Sequence, residues 1–204
     1  MLSITQGRIL GSLIEKARTT PDQYPLSLNA LVIACNQSTS RDPIMTLADH
    51  EIESALTSMK SAGMVRMVHP SHGRSVIRYR QVYDELKSLQ PSTCSVLAVL
   101  LLRGPQTAAE LRSRTERLHT FDSLTDVENC LSDAAAAGLV QLLERLPGHK
   151  EPRWKQLIAD EPEFTPSAAP ARAQREPMAP GLIDRVAELE ARVERLEAAL
   201  ADLL

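Results

Sequence analysis

Aromatic side chains are scarce in this sequence of 204 residues, which holds one Trp, three Tyr and two Phe. So few rings do not make the stacking platform on which single-stranded nucleic acid is bound. Cysteine is equally sparse. Cys35, Cys94 and Cys130 are odd in number and far apart, and each lies in an apolar helical pattern, which suits reduced core thiols in a cytoplasmic protein better than disulfides. Positive charge is not in excess either. With 23 Lys and Arg against 26 Asp and Glu the net charge is −3, so any nucleic-acid partner must be bound by a local patch. No run approaches the roughly 18 apolar residues of a membrane span. The opening MLSITQGRILGSLIEKARTT breaks its apolar stretch with Arg8, Glu15 and Lys16, which reads as an amphipathic helix and not a signal peptide, so no membrane partner is expected.

Catalytic signatures are missing as well. The sequence has no Gly-rich phosphate loop after a strand, no nucleophile elbow and no Cys/His metal spacing. His69 and His72 flank a short turn, but a metal there needs further ligands from elsewhere. Most acids fall at helix starts, where they complement the helix dipole. We therefore expect no enzyme, with no catalytic residue, metal or cofactor.

What is present is a duplication. The apolar fraction of 43% supports a packed core. EIESALTSMKSAGMVRMV (51–68) aligns without gaps on DVENCLSDAAAAGLVQLL (126–143), 75 positions later. Glu53/Glu128, Leu56/Leu131, Ala62/Ala137, Gly63/Gly138 and Val65/Val140 are identical, as are Gly73/Gly148, Arg78/Arg153 and Gln81/Gln156 beyond them; Tyr79/Trp154 preserves a bulky ring. Each copy opens with helical spacing (Ile52, Ala55, Leu56, Met59; Val127, Cys130, Leu131, Ala134) and reaches a Gly at the position after the helix cap. Two short β-rich runs joined by a turn follow, making a hairpin. Its returning strand alternates, with Ile77 and Tyr79 on one face and Arg78 and Arg80 on the other, and with Trp154 between Arg153 and Lys155.

Two more helices precede each copy. Ile9, Leu10, Leu13, Ile14 and Ala17 form one stripe, and Leu28, Leu31, Val32 and Cys35 another after the break at Tyr24-Pro25. In the second half SVLAVLLLRG (95–104) reads as a buried helix ended by Gly104-Pro105, with capping boxes at Thr107–Glu110 and Thr125–Glu128. Three helices and a hairpin, twice, is the order of a winged helix-turn-helix domain. The stretches YPLSLNALVIACNQSTSRDPIM (24–45), LHTFDSLTDVE (118–128) and LPGHKEPRWKQLI (146–158) together resemble the bacterial YceH family, over about residues 5 to 158. The resemblance implies tandem winged helices of unknown function and brings no catalytic or binding residue with it. The expected fold is thus α+β and mainly α, with winged-helix units at 1–82 and 83–158, and an offset of 75 between their equivalent parts.

The remainder differs in kind. ADEPEFTPSAAPARAQREPMAPG (159–181) is rich in Pro and Ala without apolar periodicity and reads as a linker. In LIDRVAELEARVERLEAALADLL (182–204), Leu182, Leu189, Leu196 and Leu203 share heptad position d, and Val186, Val193 and Leu200 share a. Mostly β-branched a positions with Leu at d favour a parallel coiled coil, hence a homodimer. The alternative is a helix folded back on its own body, because about three heptads are marginal alone.

Two functional readings stay open. In the first, basic wings contact double-stranded DNA: the hairpins carry Arg66, Arg74, Arg78 and Arg80 in one copy and Arg145, Lys150, Arg153 and Lys155, against Glu144 and Glu151, in the other, with Arg41 in the turn between helices and Arg112, Arg114 and Arg117 extending the patch. Against this, the third helices, read at 47–62 and 123–137, carry Asp49, Glu51 and Glu53, and Asp126, Glu128 and Asp133, which oppose phosphate approach. In the second reading, the acidic helix faces make the chain an adaptor for another protein. A charged strand face that is merely solvated is the bland alternative to both.

Overall fold

The computed structural model describes residues 1–69, 76–145 and 151–161. The linker and heptad segment therefore lie outside the described residues, apart from 159–161. The fold is α+β and mainly helical. The first half runs α1 (Ile4–Thr19), a 3-10 turn (Pro21–Gln23), β1 (Leu26–Ser27), α2 (Leu28–Cys35), α3 (Asp49–Ser61), β2 (Val65–Val68) and β3 (Arg78–Gln81). The second runs α4 (Tyr83–Lys87), α5 (Pro91–Arg103), α6 (Ala108–Thr115), α7 (Leu124–Ala136), β4 (Val140–Leu142) and β5 (Trp154–Gln156). The sheets are antiparallel, with strand order β1-β3-β2 in the first half and β4-β5 in the second.

Local chemistry accounts for the helix ends. Thr107 and Glu110 close the expected capping box on α6, and Ser3 and Gln6 close another, not read from the sequence, on α1. The box expected at Thr125–Glu128 is instead Ser123–Asp126, because Ser123 has the extended backbone that an N-cap needs and Thr125 is already inside the helix. Gly63 and Gly138 follow α3 and α7 with φ of 71° and 69°, the left-handed conformation that lets the chain turn into the hairpin.

The duplication holds in atomic detail over these parts. Val65 pairs with Gln81 as Val140 does with Gln156, and Met67 with Tyr79 as Leu142 does with Trp154, each 75 positions on. Even single bonds repeat. The Met64 and Leu139 amides each donate to a helix carbonyl at 2.9 Å, and the Val82 and Leu157 amides to the Met64 and Leu139 carbonyls at 2.8 Å. The offset does not extend to whole units. The caps Ser27 of α2 and Thr107 of α6 are 80 apart, because 13 residues separate α2 from α3 and only 8 separate α6 from α7. Length changes were absorbed in loops, where packing does not oppose them.

Met1–Phe164 form one compact unit. Ile9, Leu10, Leu13, Leu31, Ile52, Leu56 and Met59 fill one core cluster, and Val96, Leu97, Leu100, Leu111, Val127 and Leu131 the other. α5 serves both: Cys94 and Ala98 face the first cluster while Val96, Leu97 and Val99 face the second. That explains a helix apolar on all sides. α1 lies against it through Gly7 and Gly11, where an added Cβ would meet the Ala159 Cβ at 2.8 Å and the Leu102 Cγ at 2.9 Å. The ends of the unit also meet. The Leu2 amide donates to the Ile158 carbonyl at 2.9 Å and the Asp160 amide to the Leu2 carbonyl at 2.8 Å, so 159 and 160, read from composition as linker, belong to the body. No helix among the described residues is long and apolar enough to cross a membrane.

Candidate functional site

The third helices show their charge to solvent. α3 buries Ile52, Leu56 and Met59 and exposes Asp49, Glu51 and Glu53, with Lys60 at its far end. α7 buries Val127, Cys130, Leu131 and Ala134 and exposes Asp126, Glu128 and Asp133, with no Lys or Arg. Two of these acids are structural: Glu51 accepts from the Ala48 amide at 2.8 Å and Asp126 from the Ser123 amide at 2.9 Å. Asp49, Glu53, Glu128 and Asp133 make no ion pair among the described residues and keep their charge for the surface.

Of the basic residues singled out in the sequence, Arg66 and Arg80 stand opposite each other on β2 and β3 and share Glu85, while Arg41 is buried elsewhere. Arg41 is not on the surface. Its guanidinium is buried and donates to both Glu15 oxygens (3.2 and 2.8 Å), to the Ala34 and Ser40 carbonyls (2.8 and 2.9 Å) and to Gln37 Oε1 (2.9 Å). Burial alone raises the pKa of Glu15, but the Arg41 hydrogen bond and charge, helped by Lys16, leave it below its ordinary value. The NQSTSRDP run that carries the family resemblance is therefore an anchored loop. Asn36 bonds both the amide and the carbonyl of Leu47 (2.8 and 2.9 Å), and the Asp42 amide donates to the Leu102 carbonyl of α5 at 2.8 Å. Arg8 clamps the same loop from α1, donating to the Pro43 carbonyl at 2.6 Å and the Cys35 carbonyl at 3.3 Å.

On the returning strands β3 and β5, the repeated Arg pair has a shared structural task. Arg78 donates to the Pro25 carbonyl at 2.9 Å, and its counterpart Arg153 to the Pro105 carbonyl at 2.8 Å, each tying a returning strand to the entry of the helix two segments earlier. Arg153 also pairs with Glu110 at 2.9 Å and is half-buried, while Arg78 stays exposed. Arg66 and Arg80 both pair with Glu85, the first at 3.4 Å. Because Glu85 is half exposed, these two pairs contribute little to stability and exchange readily with other anions. Lys155 is half-buried and makes no ion pair among the described residues. Arg74 and Lys150 lie outside the described residues, as do the dimerisation positions Leu182, Val186, Leu189, Val193, Leu196, Leu200 and Leu203.

The sequence reading missed the carboxylates that hold these arginines. Glu15, Glu85 and Glu110 read as ordinary helix-surface acids, Glu15 noted only for breaking an apolar stretch and Glu110 only for its cap; the Glu15–Arg41 and Glu110–Arg153 contacts span 26 and 43 residues. The repeated Gln81 and Gln156 were likewise noted without a role. Each turns its amide oxygen back on the chain: Gln81 accepts from the Tyr83 amide at 2.7 Å, and Gln156 from the Ile158 and Ala159 amides at 2.8 and 2.7 Å. The cysteines are buried and free, and burial pushes Cys35 and Cys94 up to about 11, so neither is a ready thiolate nucleophile.

Residues 2–149 match the family profile described as a protein of unknown function, DUF480. The chain is 45% identical over 205 residues to the UPF0502 protein of Dechloromonas aromatica, covering 99% of this chain and 92% of that one. It is 42% identical to the UPF0502 protein of Solibacter usitatus (97% and 94% covered) and 42% identical to that of Shewanella woodyi (100% and 99% covered). With a profile matching most of its length and relatives aligned nearly end to end, the chain belongs to the uncharacterised bacterial DUF480/UPF0502 family, the family that the YceH resemblance pointed to.

Proposed function

We propose that the protein is a non-enzymatic cytoplasmic adaptor whose two winged-helix units present acidic third helices to a basic surface of another protein. The observation that carries this is the charge left over on the surface: α3 and α7 expose acids that make no ion pair among the described residues, whereas Arg41 and Arg153 are held by carboxylates and carbonyls of the fold and the exposed Arg78 by the Pro25 carbonyl. Phosphate approach to those helices is opposed by like charge. In this reading residues 182–204 pair two chains in parallel through their a and d positions, so that the acidic helices are displayed in duplicate.

A second reading has its own support. Among the described residues Arg66 and Arg80 are held only by an exposed carboxylate and Lys155 by none, so salt-sensitive duplex binding through the wings is its expected signature. One pair of variants separates the two. Reversing Asp49, Glu53, Glu128 and Asp133 to Lys abolishes capture of a stoichiometric partner from nuclease-treated lysate if the adaptor reading holds. Substituting Arg66, Arg80 and Lys155 by Ala then leaves capture unchanged. Wild-type binding to a random duplex at low salt, lost in the second variant, would overturn the adaptor reading in favour of the wings. Arg153 is left intact in that variant because its loss would unbalance Glu110.

A further inference from the structure

We propose that a cleft joining the two halves of the body binds a small phosphorylated anion, independently of what the third helices bind. The cleft holds about 300 Å³ and is walled by Glu15 and Thr19 of α1, Ser40 of the anchored loop, Arg103 of α5, and Ser113, Arg114 and Arg117 on α6 and just beyond it. Such a volume is at the lower end for small-molecule sites. Val99, Leu102 and Leu118 give it an apolar side.

The charges in this cleft are unbalanced once the internal pairs are assigned. Three guanidiniums face the carboxylates of Glu15 and Glu116, and Glu15 is already held by Arg41 at 2.8 Å and Lys16 at 3.4 Å. Arg114 reaches Gln106 and, at 3.5 Å, Glu110. Neither Arg103 nor Arg117 makes an ion pair among the described residues. Arg103 is half-buried and spends one nitrogen on Ser40 Oγ at 2.6 Å. Burial, and next the charge of Arg114, lower its pKa, as expected of a cation placed beside other cations. Ser40 itself is held at φ 60°, a left-handed backbone that a serine adopts only when its surroundings impose it.

Guanidinium forks with free donors, the Ser40 and Ser113 hydroxyls and an apolar wall match a phosphate monoester on a short carbon skeleton better than a bare carboxylate, because a tetrahedral oxyanion accepts from several directions at once; the Thr19 hydroxyl is spent on the Glu15 carbonyl at 3.0 Å. A ligand there would touch α1, the loop, α5 and α6 together. It would therefore stabilise the packing of one half on the other and raise the melting temperature of the whole chain.

Calorimetric titration of the full chain with glycerol 3-phosphate and, separately, with inorganic phosphate tests the site. We expect saturable single-site binding of the monoester with a Kd at or below about 1 mM, and weaker binding of free phosphate. Arg103→Gln and Arg117→Gln should each weaken it roughly tenfold, while Arg145→Gln, an exposed arginine outside the cleft, leaves it unchanged. Arg117 is exposed, so its variant remains informative if Arg103→Gln folds poorly by circular dichroism. Absence of saturable binding up to about 20 mM, equal weakening by Arg145→Gln, or full binding by Arg117→Gln would each overturn the proposal.

Discussion

Replacing Arg41 by Met tests whether this arginine belongs to the fold or to a binding surface. The substitution keeps most of the side-chain volume but removes all the hydrogen bonds that Arg41 donates to Glu15, the Ala34 and Ser40 carbonyls and Gln37. The Arg41 side chain is 0% exposed and that of Glu15 14%, so the pair is close to the fully buried limit, where removing one partner costs about 3–5 kcal/mol. Glu15 retains some water and Lys16 at 3.4 Å, which places the expected loss near the lower value, about 3 kcal/mol. For a domain of this size that is a fall in melting temperature of roughly 6–12 °C. Urea denaturation followed by far-UV circular dichroism measures it. The pH dependence has a definite sign. In the folded wild type the Glu15 pKa is below its ordinary 4.5, so the unfolded chain binds more protons and the stability from this group is present above pH 4.5 and lost as pH falls through the folded value. Without Arg41, burial acts on Glu15 with only Lys16 against it. The gap between wild type and variant should therefore narrow as pH falls below 4.5. Adding Glu15→Leu to Arg41→Met should recover much of the loss, because the uncompensated buried charge is gone. A cost below about 1 kcal/mol with no narrowing in acid would refute the reasoning and return Arg41 to the surface patch.

Gly11→Ala gains up to about 1 kcal/mol of helix propensity but drives a Cβ to within 2.9 Å of Leu102, an overpacking that costs about 1–3 kcal/mol, so thermal melts should show net destabilisation. Gln156→Leu strands the buried amides of Ile158 and Ala159 and should cost about 1–3 kcal/mol by urea titration, more than Gln81→Leu, whose site is half-buried. Light scattering should report the full chain as a dimer and a chain ending at Glu161, which keeps the Gln156–Glu161 contact, as a monomer; two monomers at micromolar concentration would dismiss the proposed heptad pairing. The Gly63→Ala and Gly138→Ala variants should each lose about 1 kcal/mol, and by similar amounts, since nothing lies within 4 Å of either Cβ and only the positive φ resists.

The sequence by itself determined what depends on neighbours along the chain. The periodicity of Ile52, Leu56 and Met59 and of Val127, Leu131 and Ala134, the glycines at 63 and 138, and the gapless repeat located two helices to within two residues and the strands that pair after each, because helix period and caps are local properties. The all-apolar run from 96 to 102 foretold a buried helix in the same way. Tertiary structure decided the fate of the charges. Whether an arginine is a free cation or a structural clamp depends on which carbonyl or carboxylate stands opposite it, and those partners lie far along the chain: Glu15 for Arg41, Pro25 for Arg78, and Pro105 and Glu110 for Arg153. The repeat of Arg78 as Arg153 looked like a duplicated binding surface, yet a strand tied back to a proline carbonyl in each half accounts for it. The contact of α1 with α5 was hidden for the same reason. Gly7 and Gly11 are poor helix residues taken alone, and only the nearness of Ala159 and Leu102 gives the missing side chains a purpose.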